Sequence, residues 1–168
     1  MGALRVSDDP ESLTQFVHRC RQRGVTPGQL LDCVELADRD RQGKTGPDRQ
    51  VADRVVYGLL LALGEFDLAE LPAGTPTRGA SKEQSAPTPR GDASKDSPIQ
   101  GSSAPFLRQL ADWYVNDPSS AVHGAAGWLL RRWKQSEVVE RVDRTPLAYS
   151  PDREWYVMKF VEPDQPPG

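Results

Sequence analysis

The spacing of apolar residues predicts two helices in the first forty positions. Each stripe repeats at three, four and seven residues, which places its members on one helix face. The two stripes are formed by Leu13, Phe16, Val17 and Cys20, and by Leu30, Leu31, Val34 and Ala37. Asp9-Pro10 and Thr26-Pro27 each put an N-cap residue ahead of a proline, which is typical of a helix start. Gly24 is expected to close the first helix as a C-terminal cap.

A third helix is predicted over residues 47–63, ending at Gly64. Its apolar band, from Val51 to Leu63, is too wide for a helix that packs on one side only. A fourth and a fifth helix follow, separated by the break Asn116-Asp117-Pro118. Their apolar residues are Phe106, Leu107, Leu110, Trp113 and Tyr114 in the fourth, and Val122, Ala125, Ala126, Leu129, Leu130 and Trp133 in the fifth.

Between the third and fourth helices the composition changes abruptly. Residues 72–104 hold five prolines, four glycines and six serines, with no aromatic residue and Ile99 as the one large aliphatic. Ordering such a segment costs about 1 kcal/mol per residue with almost nothing to bury in return. We predict a disordered, flexible spacer. A regulated segment is the alternative, because Thr88-Pro89 and Ser97-Pro98 suit proline-directed phosphorylation.

The fold class is therefore mostly α, with one short strand near the C-terminus. Apolar residues and β-formers fill the run at 155–161, which predicts that strand. Asp48 and Asp117 each precede a Val, Ala and Leu helix and lie 69 positions apart, or 36 without the 33-residue insert. That spacing favours HEAT-like antiparallel helix pairs, although a small helical bundle could imitate it. The predicted parts are residues 1–71, the insert 72–104, a helical hairpin at 105–144 and the strand with its tail at 145–168.

Charge and composition exclude several classes of function. The formal net charge is −3 with both signs well mixed, which argues against a nucleic-acid-binding surface. No apolar run has the length of a membrane span, and residues 1–9 do not resemble a signal peptide. A cytoplasmic protein is expected. Cys20 and Cys33 occupy apolar positions of helices, so we expect inert thiols in preference to a disulfide or a redox pair.

Two phrases of the sequence carry a family resemblance. They are Leu59-Leu60-Leu61-Ala62-Leu63-Gly64-Glu65-Phe66, and the stretch from Asn116-Asp117-Pro118 to Trp128-Leu129-Leu130-Arg131-Arg132-Trp133. They resemble the helical region that precedes the formylglycine-generating, sulfatase-modifying-factor-type domain of bacterial multidomain proteins. Asp152-Arg153-Glu154-Trp155-Tyr156-Val157 is similar to the junction where that catalytic-type domain begins. The resemblance implies that the family's active-site cysteines belong to a downstream domain. Cys20 and Cys33 do not match those cysteines.

Candidate chemistry in the chain itself is sparse. Gly43-Lys44-Thr45 lacks the earlier glycine and the preceding strand of a phosphate-binding loop. His18 and His123 have no recognisable nucleophile and acidic partner, so a packing or surface role is expected for His123. No metal site, cofactor or small-molecule substrate is inferred, and the chain is not expected to be an enzyme.

Trp128 is the most informative single position. It lies away from the apolar stripe of its helix, beside Arg131 and Arg132, so it must be covered by another element or bind a partner. Packing against Trp155, Tyr156 or Met158 is the first interpretation, and a partner-binding surface of Trp128, Arg131 and Arg132 is the second. The expected function is a non-catalytic interaction or scaffold module for a protein partner or a missing downstream domain. A truncated, inactive remnant of a formylglycine-generating or kinase-linked enzyme is the alternative.

Overall fold

A computed structural model describes residues 10–72, 104–144 and 149–156 of the chain. These residues form six α-helices and one short 3₁₀-helix at Leu68–Glu70. The helices are α1 (Pro10–Gln22), α2 (Pro27–Arg41), α3 (Gly46–Leu63), α4 (Ala104–Asn116), α5 (Ser120–Arg132) and α6 (Ser136–Arg144). The prediction of a mostly α fold is confirmed, and the first five helices lie where the apolar stripes place them.

Turn chemistry read from the sequence accounts for several helix ends. Thr26 caps α2 with a capping box, in which the Gln29 backbone N–H donates to the Thr26 hydroxyl at 3.3 Å and the Gln29 side chain accepts from the Thr26 backbone at 2.9 Å. Gly24 has a φ of +76°, the left-handed conformation that glycine adopts most readily after a helix. Gly64 caps α3, as predicted.

Helix α6 was not predicted. Its nine residues include five charged side chains, and Val139 is its one buried residue. β-Branched valines do not favour an isolated helix. Packing against α4 and α5 therefore stabilises the helical conformation of α6.

Two antiparallel helix pairs are arranged side by side. Short turns join α2 to α3 and α4 to α5, and each pair packs along its length. Helix α3 also packs against α1 and α5. At one end of the α3–α5 contact Arg41, next to the start of α3, meets Asp117, next to the start of α5. At the other end Arg132 meets Gly64. Helices α3 and α5 therefore run in the same direction.

One hydrophobic core crosses from the N-terminal to the C-terminal half of the chain. Buried side chains from Cys20 in α1 to Val139 in α6 form a single cluster. Leu60 and Leu63 of α3 and Leu129 and Leu130 of α5 are fully buried within it. The helical parts predicted separately on either side of the insert therefore share one core.

Two sequence predictions fall mainly outside the described residues. The predicted disordered insert lies outside them, apart from Pro72 and Ala104, and Ala104 begins α4 rather than ending the insert. The predicted strand also lies outside them, apart from Trp155 and Tyr156, which are not in a strand.

Candidate functional site

Trp128 projects from the exposed side of α5 onto the end of α3. Its side chain is 41% exposed, yet its ring lies directly over Gly64. A Cβ at position 64 would be 2.2 Å from the Trp128 ring, a distance that only a glycine permits. One turn earlier on α5, Gly124 is exposed, and a Cβ added there would meet no atom within 4 Å. The outer edge of the indole, Cζ3 and Cη2, thus lies against Gly64, while 41% of Trp128 stays exposed.

The neighbouring residues of α5 bind the backbone that leaves α3. Arg132 Nε donates to the Gly64 carbonyl at 3.2 Å, and Trp133 Nε1 donates to the Phe66 carbonyl at 2.9 Å. Carbonyls at a helix C-terminus lack partners within the helix, so these two donors satisfy groups that would otherwise need water. Arg132 also places its positive charge at the negative end of the α3 dipole.

Arg131 points toward a different neighbour. Its guanidinium lies 5.6 Å from the ring centroid of Tyr114, donates to the Tyr114 hydroxyl at 3.3 Å, and lies 3.7 Å from Asp143 of α6. The structure thus brings Trp128 and Arg132 together at the end of α3 and places Arg131 at the α4–α6 side. We refer to Gly124, Trp128, Arg131 and Arg132, all exposed, as the Trp128 surface.

For Trp155, the structure shows a different neighbour from the packing against Trp128 that the sequence predicts. Gly64 covers Trp128, whereas Trp155 stacks on His123 with ring centroids 3.6 Å apart. Tyr156 is 66% exposed, and Met158 lies outside the described residues. The sequence could not show this, because position 64 offers no side chain whose pattern would mark it as a partner.

Gly64→Ala should lower the free energy of unfolding by about 1–2 kcal/mol, because the new methyl group displaces the Trp128 ring and loses its burial. The backbone of Gly64, with φ −67°, suits alanine. In a Trp128→Ala background the same change should therefore cost less than about 0.5 kcal/mol. Urea unfolding of the two single variants and the double variant measures this coupling. Equal costs of Gly64→Ala in both backgrounds would contradict the contact.

A buried ionic cluster joins the two helix pairs. Arg41, 3% exposed, contacts Asp117 at 2.6 Å, Asp38 at 2.7 Å and Asp53 at 3.2 Å. Its guanidinium also lies 5.2 Å from the Trp113 ring centroid. Burial by itself lowers the pKa of Arg41, but Asp117 and Asp38 outweigh it and raise the pKa above its ordinary value. The cluster is charged and links α2, α3 and the turn before α5.

A polar crevice of about 320 Å³ opens next to this cluster, between α2 and α4. Arg49 lines it and donates to Asp53 at 2.9 Å. Among the residues described, no buried side-chain polar atom lacks a hydrogen-bond partner. The ion pairs of Arg41 and Arg49 in the crevice join the two helix pairs.

His123 lies between two aromatic rings. The Tyr114 ring is stacked on one side at 4.7 Å and the Trp155 ring on the other at 3.6 Å. The His123 Nδ1 is 2.7 Å from the Tyr114 carbonyl oxygen, so it carries a hydrogen and donates it. Burial lowers the pKa of His123 and outweighs this hydrogen bond. Of the packing and surface roles expected from the sequence, the geometry gives His123 the packing role.

Stability should fall as the pH drops below about 6.5, the ordinary pKa of histidine. Because the folded chain has the lower pKa at His123, the unfolded chain binds this proton first, and protonation favours unfolding. Tyr114, Asp143, Arg131 and Arg153 surround the ring; Asp143 raises the pKa of His123, whereas both arginines lower it. Urea unfolding between pH 7.5 and 5.5 measures the effect.

His123→Gln should remove this part of the pH dependence. His18→Gln is the matched control, because His18 is the other histidine of the chain and is exposed, with its Nδ1 3.4 Å from the Glu65 carboxylate. Identical pH slopes for wild type and His123→Gln would show that His123 does not couple protonation to folding.

Other candidate chemistry is limited. Cys20 is buried and Cys33 half-buried, and both are free thiols. Burial, together with Cys33, raises the pKa of Cys20. Within the described ranges, no three His, Cys, Asp or Glu side chains cluster in a way that could hold a metal ion. No described helix combines the length and apolar character needed to cross a membrane.

Comparison with known proteins adds no relatives. No family model, curated protein or solved structure matches this chain.

Proposed function

We propose that this chain is a non-catalytic helical scaffold that binds a protein partner through the Trp128 surface. The observation that carries the proposal is the placement of Trp128, which is fixed over Gly64 and still 41% exposed. A large aromatic side chain held in place before binding loses little conformational entropy when a partner covers it.

The composition of the surface supports a protein ligand. Tryptophan and arginine are the residues that most often concentrate binding energy at protein interfaces. Arg132 is held by a carbonyl rather than by a carboxylate, so its charge is not neutralised by an ion pair there. The partner segment that suits this surface carries an apolar side chain for Trp128 and an acidic side chain for Arg132.

The helix arrangement supports a HEAT-like scaffold. Antiparallel pairs whose second helices, α3 and α5, run in the same direction are what stacked helical-hairpin repeats require. We propose that the chain is such a stack and that it serves as the kind of helical segment found ahead of formylglycine-generating-type domains. The resemblance of the Leu59–Phe66 and Trp128–Trp133 phrases supports that role.

Site-specific photo-crosslinking in the producing cell tests the proposal. A photoreactive amino acid replaces Gly124, where an added Cβ would meet no atom within 4 Å, and in a matched control it replaces Arg39, which is exposed on α2. One discrete protein adduct is expected from position 124 and not from position 39. Trp128→Ala should abolish it.

The captured protein is then identified by mass spectrometry and purified. Its dissociation constant for the chain should rise about tenfold or more on Trp128→Ala. No adduct at position 124, or an adduct that survives Trp128→Ala, would contradict the proposed binding surface.

A further inference from the structure

The segment at residues 149–156 has neither helix nor strand, yet it caps the N-terminus of α5. Its Glu154 backbone N–H donates to the Pro118 carbonyl at 2.9 Å. The Glu154 carboxylate accepts from the Ser120 backbone N–H at 3.0 Å and from the Ser120 hydroxyl at 3.3 Å. A residue 34 positions away thus satisfies the first turn of this helix.

The cap is needed because α5 does not cap itself. Ser119 occupies the N-cap position, but its side chain makes no capping hydrogen bond. The first N–H groups of a helix have no partner within the helix, and the helix dipole favours a negative charge beside them. The Glu154 carboxylate supplies both the acceptor and the charge.

Trp155 fills an adjoining slot. Its indole N–H donates to the Asp117 carbonyl at 2.8 Å, and its ring is stacked on His123. Arg153 lies 4.6 Å from the Trp155 ring centroid. Two consecutive side chains, one acidic and one aromatic, therefore make specific contacts with one turn of α5.

The segment at residues 149–156 is much less buried than the helices that it contacts. No described residue of the segment is fully buried, and Tyr149 and Tyr156 on either side are 82% and 66% exposed. The slot is formed by α4 and α5, and Val122 and Ala126 of α5 belong to the core. A segment with so few buried contacts can open without unfolding the helices beneath it.

We propose that the N-terminal turn of α5 and the His123 ring form a binding site for a Glu-Trp dipeptide, and that Glu154 and Trp155 occupy it in cis. A partner protein segment with the same two side chains displaces them. The ligand class is an acidic residue followed directly by tryptophan. This site is separate from the Trp128 surface and does not depend on the proposed function.

The test uses the ¹⁵N-labelled full chain and a peptide with the sequence of residues 150–156. In wild type, the Ser120 amide should resonate downfield because it is bonded to a carboxylate, and Glu154→Gln should move it upfield. A double variant, Glu154→Ala with Trp155→Ala, empties the site without changing any helical residue. Peptide added to the double variant should return the Ser120 resonance toward its wild-type position.

Wild type should bind the peptide at least about tenfold more weakly than the double variant, since its own segment competes at high effective concentration. Peptides with Glu154→Gln or Trp155→Ala should bind the double variant more weakly than the native peptide does. Adding His123→Ala to the double variant should also weaken its binding of the native peptide. A Ser120 resonance unmoved by Glu154→Gln would overturn occupancy in cis. Failure of millimolar peptide to shift Ser120 in the double variant, or equal binding to wild type, would overturn the binding site.

Discussion

Arg41→Met should lower the free energy of unfolding by about 3–5 kcal/mol, the usual cost of removing one partner from a buried ion cluster. Among the described residues Arg41 is the cation paired with Asp117, which is 5% exposed, and it also contacts Asp38 and Asp53. Its loss leaves a buried carboxylate without its cation. Urea unfolding of wild type and variant measures the difference.

Arg39→Met is the matched control, two residues earlier on the same helix. Arg39 is exposed and pairs only with Glu35 at 3.2 Å among the described contacts, so its loss should cost no more than about 0.5 kcal/mol. Arg41→Lys should recover only part of the stability, since a single ammonium cannot reproduce the fork of donors. A cost for Arg41→Met within about 1 kcal/mol of the control would show that the cluster does not hold the helix pairs together.

Trp133→Ala should cost about 3–5 kcal/mol, because it removes a large buried ring from the core. Trp133 is 5% exposed and packs edge-on against Phe106, with centroids 6.2 Å apart. Trp133→Phe should cost less but still leave the Phe66 carbonyl without its donor, a loss of about 1–3 kcal/mol. Urea unfolding of the two variants and wild type measures both costs.

Trp128→Ala on the same helix is the control for Trp133→Ala. Because Trp128 is 41% exposed, its removal should be less destabilising than that of Trp133 by about 2 kcal/mol. Equal losses at the two positions would mean that the Trp128 ring is not the exposed member of the pair. The Trp128 surface would then be wrongly placed.

The helices could be predicted because their signals are local. The stripe through Val122, Ala126 and Leu129 repeats with the helical period, and Thr26 and Gly24 follow simple capping rules. Helix α6 lacked such a signal, since three valines among charged residues indicate no single structure. Its helical form depends on the surface against which it packs.

The ionic cluster could not be predicted for a different reason. Arg41 meets Asp53 within the α2–α3 pair, but Asp117 is far away in the sequence, and only the parallel placement of α3 and α5 brings it to Arg41. A weak signal was present in Asp53, a charged residue within the wide apolar band of the third helix. Likewise, nothing near Ser119 indicated that Glu154 would cap α5.

Trp128 shows how far sequence reasoning reached at the candidate site. Its position off the apolar stripe could be read from the helical period, and it is exposed as that position requires. The contact with Gly64 could not be predicted, because a glycine has no side chain and the sequence does not show which ring packs on its backbone. Arg131 and Arg132 are adjacent in the sequence, yet the helix directs them to different neighbours.

Amide hydrogen exchange on the full chain, wild type and Arg41→Met, tests most directly whether residues 10–72 and 104–144 form one cooperative helical unit. The slowest amides of α3 and α5 should report the same opening free energy in wild type, and both should fall by the same amount in the variant. A fall confined to α2 and α3, with α5 unchanged, would show two independent units and contradict the account.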